Sequence, residues 1–423
     1  MLEIKNYNLK KIDIKSTFRS LRNRNYRIFY IGQGISLIGT WMQQVATSWL
    51  IYRLTGSALA LGLSTFLSQI PALIVSPVAG TYIDKMNKLT IVKLMQFLMM
   101  IVAFILGILT LNNYITAQIV YILYCILGIL NAIEIPARQS MFVELIDKKE
   151  DLPNAIALNS TLFNAARLVG PSIGGILLLK ISEGYCFIIN AVSFLFVLFS
   201  LFAIKINKKL VSLEKHNVFN SLKEGFDFVR KTPYIFYPLL LLTFYSLFGI
   251  SFTTILPVIA VKMYQGASNT LGFLMGSLGL GALISTLFLA SKKNYDNIAQ
   301  TIIISSFVFA ISLIIFSFNK IFYLGLVNIF VAGASMVLQS SSINALIQSK
   351  TSDDKRGRIM GFYTTSFRGI MPFGSLLTGF LAQKLSAQSS LLICGIVCFL
   401  ASILIGLKFI GLNMKRTLKN GYF

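Results

Sequence analysis

Nine stretches of this chain contain no Asp, Glu, Lys or Arg: residues 28–52, 54–82, 94–133, 184–204, 232–261, 263–291, 297–319, 321–349 and 385–407. A hydrocarbon core about 30 Å thick is crossed by about 20 helical residues at 1.5 Å rise each, so each run matches a membrane-spanning helix. The run from 94 to 133 is long enough for two, divided at Asn112 and Asn113. Two further apolar stretches, roughly 155–180 and 359–383, carry one intramembrane arginine each, Arg167 and Arg368. The sum is twelve spans. Only 13% of residues are charged, mean hydropathy is +0.74, and a soluble domain averages about 25% charged residues. A soluble enzyme is thereby excluded.

The net charge of +23 would suggest nucleic acid if it formed one patch, but the sorting of the cations gives another account. Lys and Arg number eight in residues 1–27, three in 84–93, three in 138–151, seven in 205–231, two at 292–293, four in 350–358 and four after 407. The alternate connections hold only Arg53, Lys180, Lys262, Lys320 and Lys384. Cationic loops stay on the cytoplasmic side, so both termini are expected in the cytoplasm and the protein in the bacterial inner membrane, with lipid as its surroundings and no nucleic-acid partner. Residues 1–27 mix their cations with Ile4, Leu9, Ile12, Ile14, Phe18 and Leu21, which suits either an amphipathic segment on an anionic membrane surface or a solvated tail. The first apolar run is a full span long, unlike a cleavable signal. Cys125, Cys186, Cys394 and Cys398 lie in or beside spans without a CxxC, and the single histidine, His216, has no second ligand nearby. No metal, cofactor or catalytic constellation is expected, and the P-loop Gly-x-x-x-x-Gly-Lys-Ser/Thr is absent.

The longest polar stretch between spans, 205–232, separates six spans from six. The expected division is a basic N-terminal segment (1–27), a first six-helix bundle (28–204), a central cytoplasmic loop (205–232), a second bundle (233–412) and a tail (413–423). Gly56, Leu61 and Gly62 recur as Gly266, Leu271 and Gly272, and Arg167 with Pro171 recurs as Arg368 with Pro372. Two related halves with a site at the midplane between them is a transporter plan. The fold class expected is all-α, twelve transmembrane helices in two pseudo-symmetric bundles, working as a monomer.

Between the second and third spans runs Gly80-Thr-Tyr-Ile-Asp84-Lys85-Met-Asn87-Lys88. It resembles the loop signature of the major facilitator superfamily, whose pattern Gly80, Asp84, Lys85 and Lys88 match. Asn87 stands where that pattern has glycine. Asn tolerates a left-handed backbone better than most residues, so Asn87 is expected to keep a turn at positive φ. In the fifth span, Gly170-Pro171-Ser-Ile-Gly174-Gly175 resembles the antiporter signature of the same superfamily; its small residues allow close helix packing and Pro171 bends the helix. The stretches 39–44, 49–57 and 356–358 resemble the enterobactin exporter-like and drug-efflux branch. That resemblance implies efflux of siderophores or drugs, commonly driven by protons, with the 80–88 loop as a gate.

In the first span Gln33, Ser36, Thr40, Gln43 and Thr47 recur at intervals of three and four, which is one helical face. Asn328, Ser335, Gln339 and Ser342 repeat the pattern in the tenth span. Such stripes line either a polar cavity or hydrogen-bonded helix contacts. A charge at a span centre costs about 2.5–3.5 kcal/mol, which draws attention to Glu134 and Arg138, four apart on one face with Asn131, and to Arg167 and Arg368. Arg167 needs a carboxylate or an anionic substrate, and Glu134 is the acid at matching depth; Arg368 has the alternative of binding carbonyls freed by Pro372. If protons drive transport, Glu134 is the first carrier candidate and Asp84 the second. Trp41, Tyr124 and Tyr245 add aromatic surface suited to a polar or mildly anionic, medium-sized molecule.

The expected function is secondary export of a small organic molecule by alternating access with proton antiport. An importer of the same fold, a lipid flippase and a non-transporting receptor are the alternatives. With both termini cytoplasmic, a C-terminal alkaline phosphatase fusion should be inactive and a green fluorescent protein fusion bright; the reverse pattern would refute the topology.

Overall fold

The computed structural model describes residues 18–83, 86–146, 148–204, 218–291, 297–351 and 353–419, and these are helical throughout with short connections and no strand among them. The long helices are α1 (Arg24–Thr55), α2 (Ala58–Ile83), α3 (Lys88–Leu111), α4 (Ala117–Glu144), α5 (Leu152–Leu177) and α6 (Glu183–Ala203). A short α7 (Val218–Lys231) follows, then α8 (Pro233–Phe244) and α9 (Leu256–Lys262), joined by a π turn at Tyr245–Gly249 and a 3-10 segment at Ile250–Ile255. The remainder comprises α10 (Ser268–Ser291), α11 (Ile298–Phe318), α12 (Phe322–Lys350), α13 (Asp353–Thr364), a π turn at Thr365–Gly369, α14 (Met371–Lys384) and α15 (Ala387–Lys419). Helices satisfy every backbone polar group within the segment, which is what a waterless environment demands.

Among the described residues nine helical segments are long and apolar enough to cross a membrane, including 233–262 as one continuous segment. The segments α1, α5 and α13–α14 fall short of that composition for a local reason. The first carries the Gln33 to Thr47 stripe, α5 carries Asn154, Asn159, Asn164 and Arg167, and the third opens on Asp353, Asp354, Lys355, Arg356 and Arg358 and carries Arg368. The stretch 205–232, read as a loop, contains α7, and the last helix runs to Lys419, past the expected boundary at 412.

Helix ends follow local chemistry. The Asn23 side chain caps α1 by accepting from the Tyr26 N–H at 3.3 Å, and Gly56 ends it at φ 60°, a conformation only glycine enters freely. Thr116 and Ser182 cap α4 and α6 in the same manner as Asn23. Asn87 corrects an expectation: its backbone is extended, φ −73° and ψ 104°, and its side chain accepts from the Thr90 N–H at 3.3 Å. The residue is the N-cap of α3, not a substitute for a left-handed glycine, and Asn is favoured there because its oxygen meets an orphan N–H. Residues 1–17 lie outside the described part, but Arg19–Arg22 form a 3-10 turn bound to the start of α5. Arg19 pairs with Asp151 at 3.1 Å, and the buried Ser20 hydroxyl donates to Asn154 at 2.7 Å.

The crossings between helices are set by glycine. A Cβ on Gly175 of α5 would lie 2.7 Å from Gly272 Cα and 2.8 Å from the Ser268 carbonyl of α10. One on Gly379 of α14 would lie 2.7 Å from the Ala58 carbonyl and 3.1 Å from Gly62 Cα of α2. These crossings are equivalents: Ala58 and Gly62 map onto Ser268 and Gly272 by a shift of 210 residues, and Gly175 maps onto Gly379 by 204. The same shift of 204 takes Pro171, whose carbonyl meets Gly272, onto Ser375, whose carbonyl meets Gly62. It also takes Gly170, packed on the Ile38 carbonyl, onto Gly374, packed on the Leu247 carbonyl. The recurrence of Arg167 with Pro171 as Arg368 with Pro372 is therefore out of register by three residues. Backbone contact decides the correspondence, and by that measure Arg368 matches Asn164.

Overpacking a close crossing costs about 1–3 kcal/mol. Gly175→Leu and Gly62→Leu should each lower the melting temperature and abolish transport, while Gly361→Ala, with nothing within 4 Å of its added carbon, should leave both unchanged. Full transport by Gly175→Leu would mean that the crossing opens without consequence.

Candidate functional site

On α5 the residues that pack outward divide by face. Leu162 and Gly170 meet α1, while Asn164 and Gly175 meet α10, the Asn164 amide donating to the Thr286 hydroxyl at 3.2 Å. At 100° per residue, Phe163 and Arg167 fall in the wedge between those faces. Arg167 is half-buried, with its guanidinium 5.5 Å from the Trp41 ring of α1, and Trp41 meets Phe163 edge to face at 5.5 Å. A cation over an indole is stabilised by about 0.5–2 kcal/mol, less than the cost of the charge at this depth. The expected Arg167–Glu134 pair does not form.

Glu134 turns to its own helix and to α3. It is 2% exposed, accepts from Arg138 Nε at 2.8 Å and accepts from Gln96 Nε2 at 2.9 Å. The Glu134–Arg138 pair expected from the four-residue spacing is present. Arg368, in the π turn, is exposed and makes no bond to the carbonyls near Pro372. Tyr363 stacks on Phe367 at 6.1 Å and donates to the Ser340 carbonyl at 3.1 Å.

The polar stripes divide between two uses. Gln43 is 6% exposed and accepts from Asn190 Nδ2 of α6 at 2.6 Å; Thr47 is buried and receives the Tyr124 hydroxyl of α4. Gln339 is 1% exposed and donates to Ser306 of α11 at 2.7 Å. Gln43, Thr47 and Gln339 make helix-to-helix contacts, the second of the two uses open to a polar stripe. Tyr245 makes such a contact likewise: it is fully buried, bonded to the Ser306 carbonyl at 2.5 Å and to Ser402 at 2.7 Å. Ser36 and Ser335 are buried, Thr40 is exposed and bonds back to the Ser36 carbonyl at 2.9 Å, and the half-buried Asn131 bonds back to the Leu127 carbonyl at 2.8 Å. Asn328 is half-buried. Gln33 Oε1 and Ser342 Oγ are buried without a partner among the described residues, the state of a polar atom that waits for water or a ligand. On its other side α1 forms with α5 an apolar groove of about 270 Å³ lined by Tyr30, Ile35, Ile38, Leu162 and Val169.

Of the loop motif, Asp84 and Lys85 lie outside the described residues. Gly80 is in the last turns of α2, and Lys88 at the start of α3 pairs with Glu144 at the end of α4 at 2.5 Å. Sequence reading missed Glu144, although its place at the end of an uncharged span beside basic loops marked it. It also missed the two-pronged pair of Arg53 with Glu183, at 2.8 and 3.1 Å, whose signal was a cation and an acid both on the cation-poor side. Gly170 and Gly174 pack on α1 at Trp41 and Met42 while Gly175 packs on α10, so the glycine-proline segment is tight on two sides.

Residues 15–417 match a family model described as transmembrane secretion effector. The chain is 28% identical over 398 residues to the staphyloferrin A transporter of Staphylococcus aureus (strain NCTC 8325 / PS 47), covering 93% of this chain and 97% of that one. It is 24% identical over 382 residues to macrolide efflux protein A of Streptococcus pyogenes, covering 87% and 92%. In fold it is similar to the crystal structure of a point mutant of the nucleoside transporter NupG, with a TM-score of 0.69 at 15% identity, covering 92% of this chain and 98% of that one. This is a transporter of small molecules in the bacterial plasma membrane, not an enzyme, and it belongs to the transmembrane secretion effector family of the major facilitator superfamily.

Proposed function

We propose that this chain exports a small organic molecule, siderophore-like or drug-like, from the cytoplasm by alternating access, exchanging it for protons. The twelve spans form two six-helix bundles, 28–204 and 233–412, with both termini in the cytoplasm and one chain as the working unit. The observation that carries alternating access is the paired crossing of Gly62 on Gly379 and Gly175 on Gly272. Two equivalent seams give two bundles a common axis about which to rock. Direction rests on the relatives named for efflux, macrolide efflux protein A among them. The glycine-proline segment does not decide it, since Gly374 and Gly379 make the same crossings without a matching proline.

Proton coupling needs a carboxylate that alternates between charged and neutral as its surroundings change. Glu134 supports that role, being enclosed by Arg138 and Gln96. Neutralising it would release Arg138 from its partner, and a freed cation at this depth favours a different packing of α4. Lys88 with Glu144 stands at the inner ends of α3 and α4, where a gate would act, and Asp84 and Lys85 directly precede that pair in the sequence.

The test uses proteoliposomes with an internal pH dye, to which siderophores, drugs and amino acids are added singly. A substrate that moves protons in the wild type and not in Glu134→Gln supports antiport through Glu134. Unchanged proton flux in a Glu134→Gln, Asp84→Asn double variant would rule coupling through these residues out, and binding without labelled flux would favour a receptor.

A further inference from the structure

We infer that the groove between α1 and α5 is a site for one anionic phospholipid, with an acyl chain lying in the groove and the headgroup phosphate held by Arg24 and Arg27. The inference goes beyond the transport reading and does not depend on what is carried. The groove, about 270 Å³, exists because Gly34 on α1 and Ala165 and Ala166 on α5 carry little or no side chain where the two helices approach. Its direction follows from what the rest of α1 packs against. Gly32 and Gly39 meet Ser200 and Ser193 of α6, whereas Gly34 and Met42 meet Leu162 and Gly174 of α5. At 100° per residue Ile31 and Ile35 fall between those two faces, on the side of α1 opposite Gln33 and Thr40. Ile31 is 59% exposed, Ile35 38%, and Val169 across the groove 37%. Open apolar surface turned away from the polar stripe of a membrane protein meets hydrocarbon, and a hollow in that surface takes a chain.

Charge supplies the second half of the site. Arg24, Arg27, Ile31, Ile35 and Ile38 follow one another at intervals of three, four, four and three, so both cations stand on the face of α1 that carries the groove. Arg27 is the last charge before the uncharged run 28–52, about 6 Å along the axis from Ile31 at 1.5 Å per residue. Both arginines are exposed, and neither is in an ion pair among the described residues. Arg27 donates one N–H to the Leu21 carbonyl at 3.3 Å, which leaves the rest of its five donors. A guanidinium fork binds phosphate through two parallel N–H groups. Tyr30 lines the groove one turn beyond Arg27, at the boundary of headgroups and hydrocarbon where tyrosine is favoured. Cation, interfacial phenol and apolar hollow thus follow in the order in which a phospholipid presents phosphate, ester and chain. A free phosphate ion would find the first of these and gain nothing from the others.

Full-length protein with a photoreactive benzoylphenylalanine in place of Ile31 is reconstituted in equal parts of phosphatidylglycerol and phosphatidylcholine of the same chains, irradiated, and its adducts identified by mass spectrometry. The same substitution at Ile122, 62% exposed within the uncharged run 94–133, is the lipid-facing reference. At Ile31 the phosphatidylglycerol adduct should exceed the phosphatidylcholine adduct about fivefold or more, fivefold being the preference that one cation near an anionic surface gives; at Ile122 the two should be equal. Arg24→Gln with Arg27→Gln should bring the Ile31 ratio to that of Ile122, and Arg24→Lys with Arg27→Lys should keep most of it. Ala165→Phe, which fills the groove, should lower both adducts at Ile31 and leave those at Ile122 unchanged. Melting followed by Trp fluorescence identifies a variant that does not fold, and the single Gln variants then carry the comparison. Equal adducts at Ile31, a preference of the same size at Ile122, or one that survives both Gln changes overturns the inference. An adduct to residues 1–17 of the same chain in place of lipid overturns it too, since the groove would then hold that segment.

Discussion

Without water to fill a gap, helices in a membrane are held by close packing, and here two glycine pairs pack backbone on backbone at equivalent crossings. Gly62 with Gly379 and Gly175 with Gly272 leave no room for a methyl group, so the faces of α2, α5, α10 and α14 are fixed to within a few tenths of an ångström. Much follows from that register. It directs Asn164 to Thr286 across the α5–α10 seam, sets Phe163 and Arg167 in the wedge beside it, and brings the Ala58 N–H to the Gln383 side-chain oxygen at 2.9 Å on the other seam. A third pair of crossings repeats the scheme, Gly128 on the Ser68 carbonyl and Gly333 on the Leu278 carbonyl, so α4 and α12 take equivalent places against α2 and α10.

Charge is distributed in keeping with that frame. Three of the four ion pairs stand at helix ends and tie neighbouring elements: Arg53 to Glu183, Lys88 to Glu144, and Arg19 to Asp151. These sites are partly open to solvent, where a pair contributes only about 0–1 kcal/mol, and they serve position more than stability. Glu134–Arg138 differs because the carboxylate is enclosed. Removing Arg138 would leave the enclosed carboxylate charged and without its cation, a loss of about 3–5 kcal/mol by comparison with other proteins. The pair is therefore strongly coupled to whatever changes its surroundings, which is the property a transport cycle can use.

What could be read from the sequence was periodic or local. The uncharged runs marked the spans because hydrocarbon length and helical rise are fixed quantities, and Glu134 with Arg138 followed from a spacing of four on one helix. Gly62 and Gly272 were visible as a repeat, and their contacts give the repeat its physical cause. Relations across the chain were not visible. The Lys88–Glu144 pair spans 56 residues and Arg53–Glu183 spans 130, and no local pattern fixes which distant helices adjoin. Polar stripes were ambiguous for the same reason: Gln43 and Thr40 share a face of α1, yet Asn190 stands opposite the first and nothing opposite the second. The π turns at 245–249 and 365–369 each add a residue to a helical turn, which a fixed period of 3.6 cannot anticipate.

The misregister of Arg368 has a physical consequence for the interior. Were it the true counterpart of Arg167 it would stand at the position of Met371; it stands instead three residues nearer the start of its helix, about 4.5 Å along the axis at 1.5 Å per residue. That displacement carries its charge away from the level of Arg167, toward the end of the helices where α1 begins and α15 finishes. Arg167 and Arg368, neither of them in an ion pair among the described residues, are thus staggered in depth, not matched across the axis. The glycine crossings that follow repeat faithfully, Gly170 and Gly175 answering to Gly374 and Gly379, so the stagger lies in where each arginine falls in the sequence and not in a slip of one helix along its neighbour.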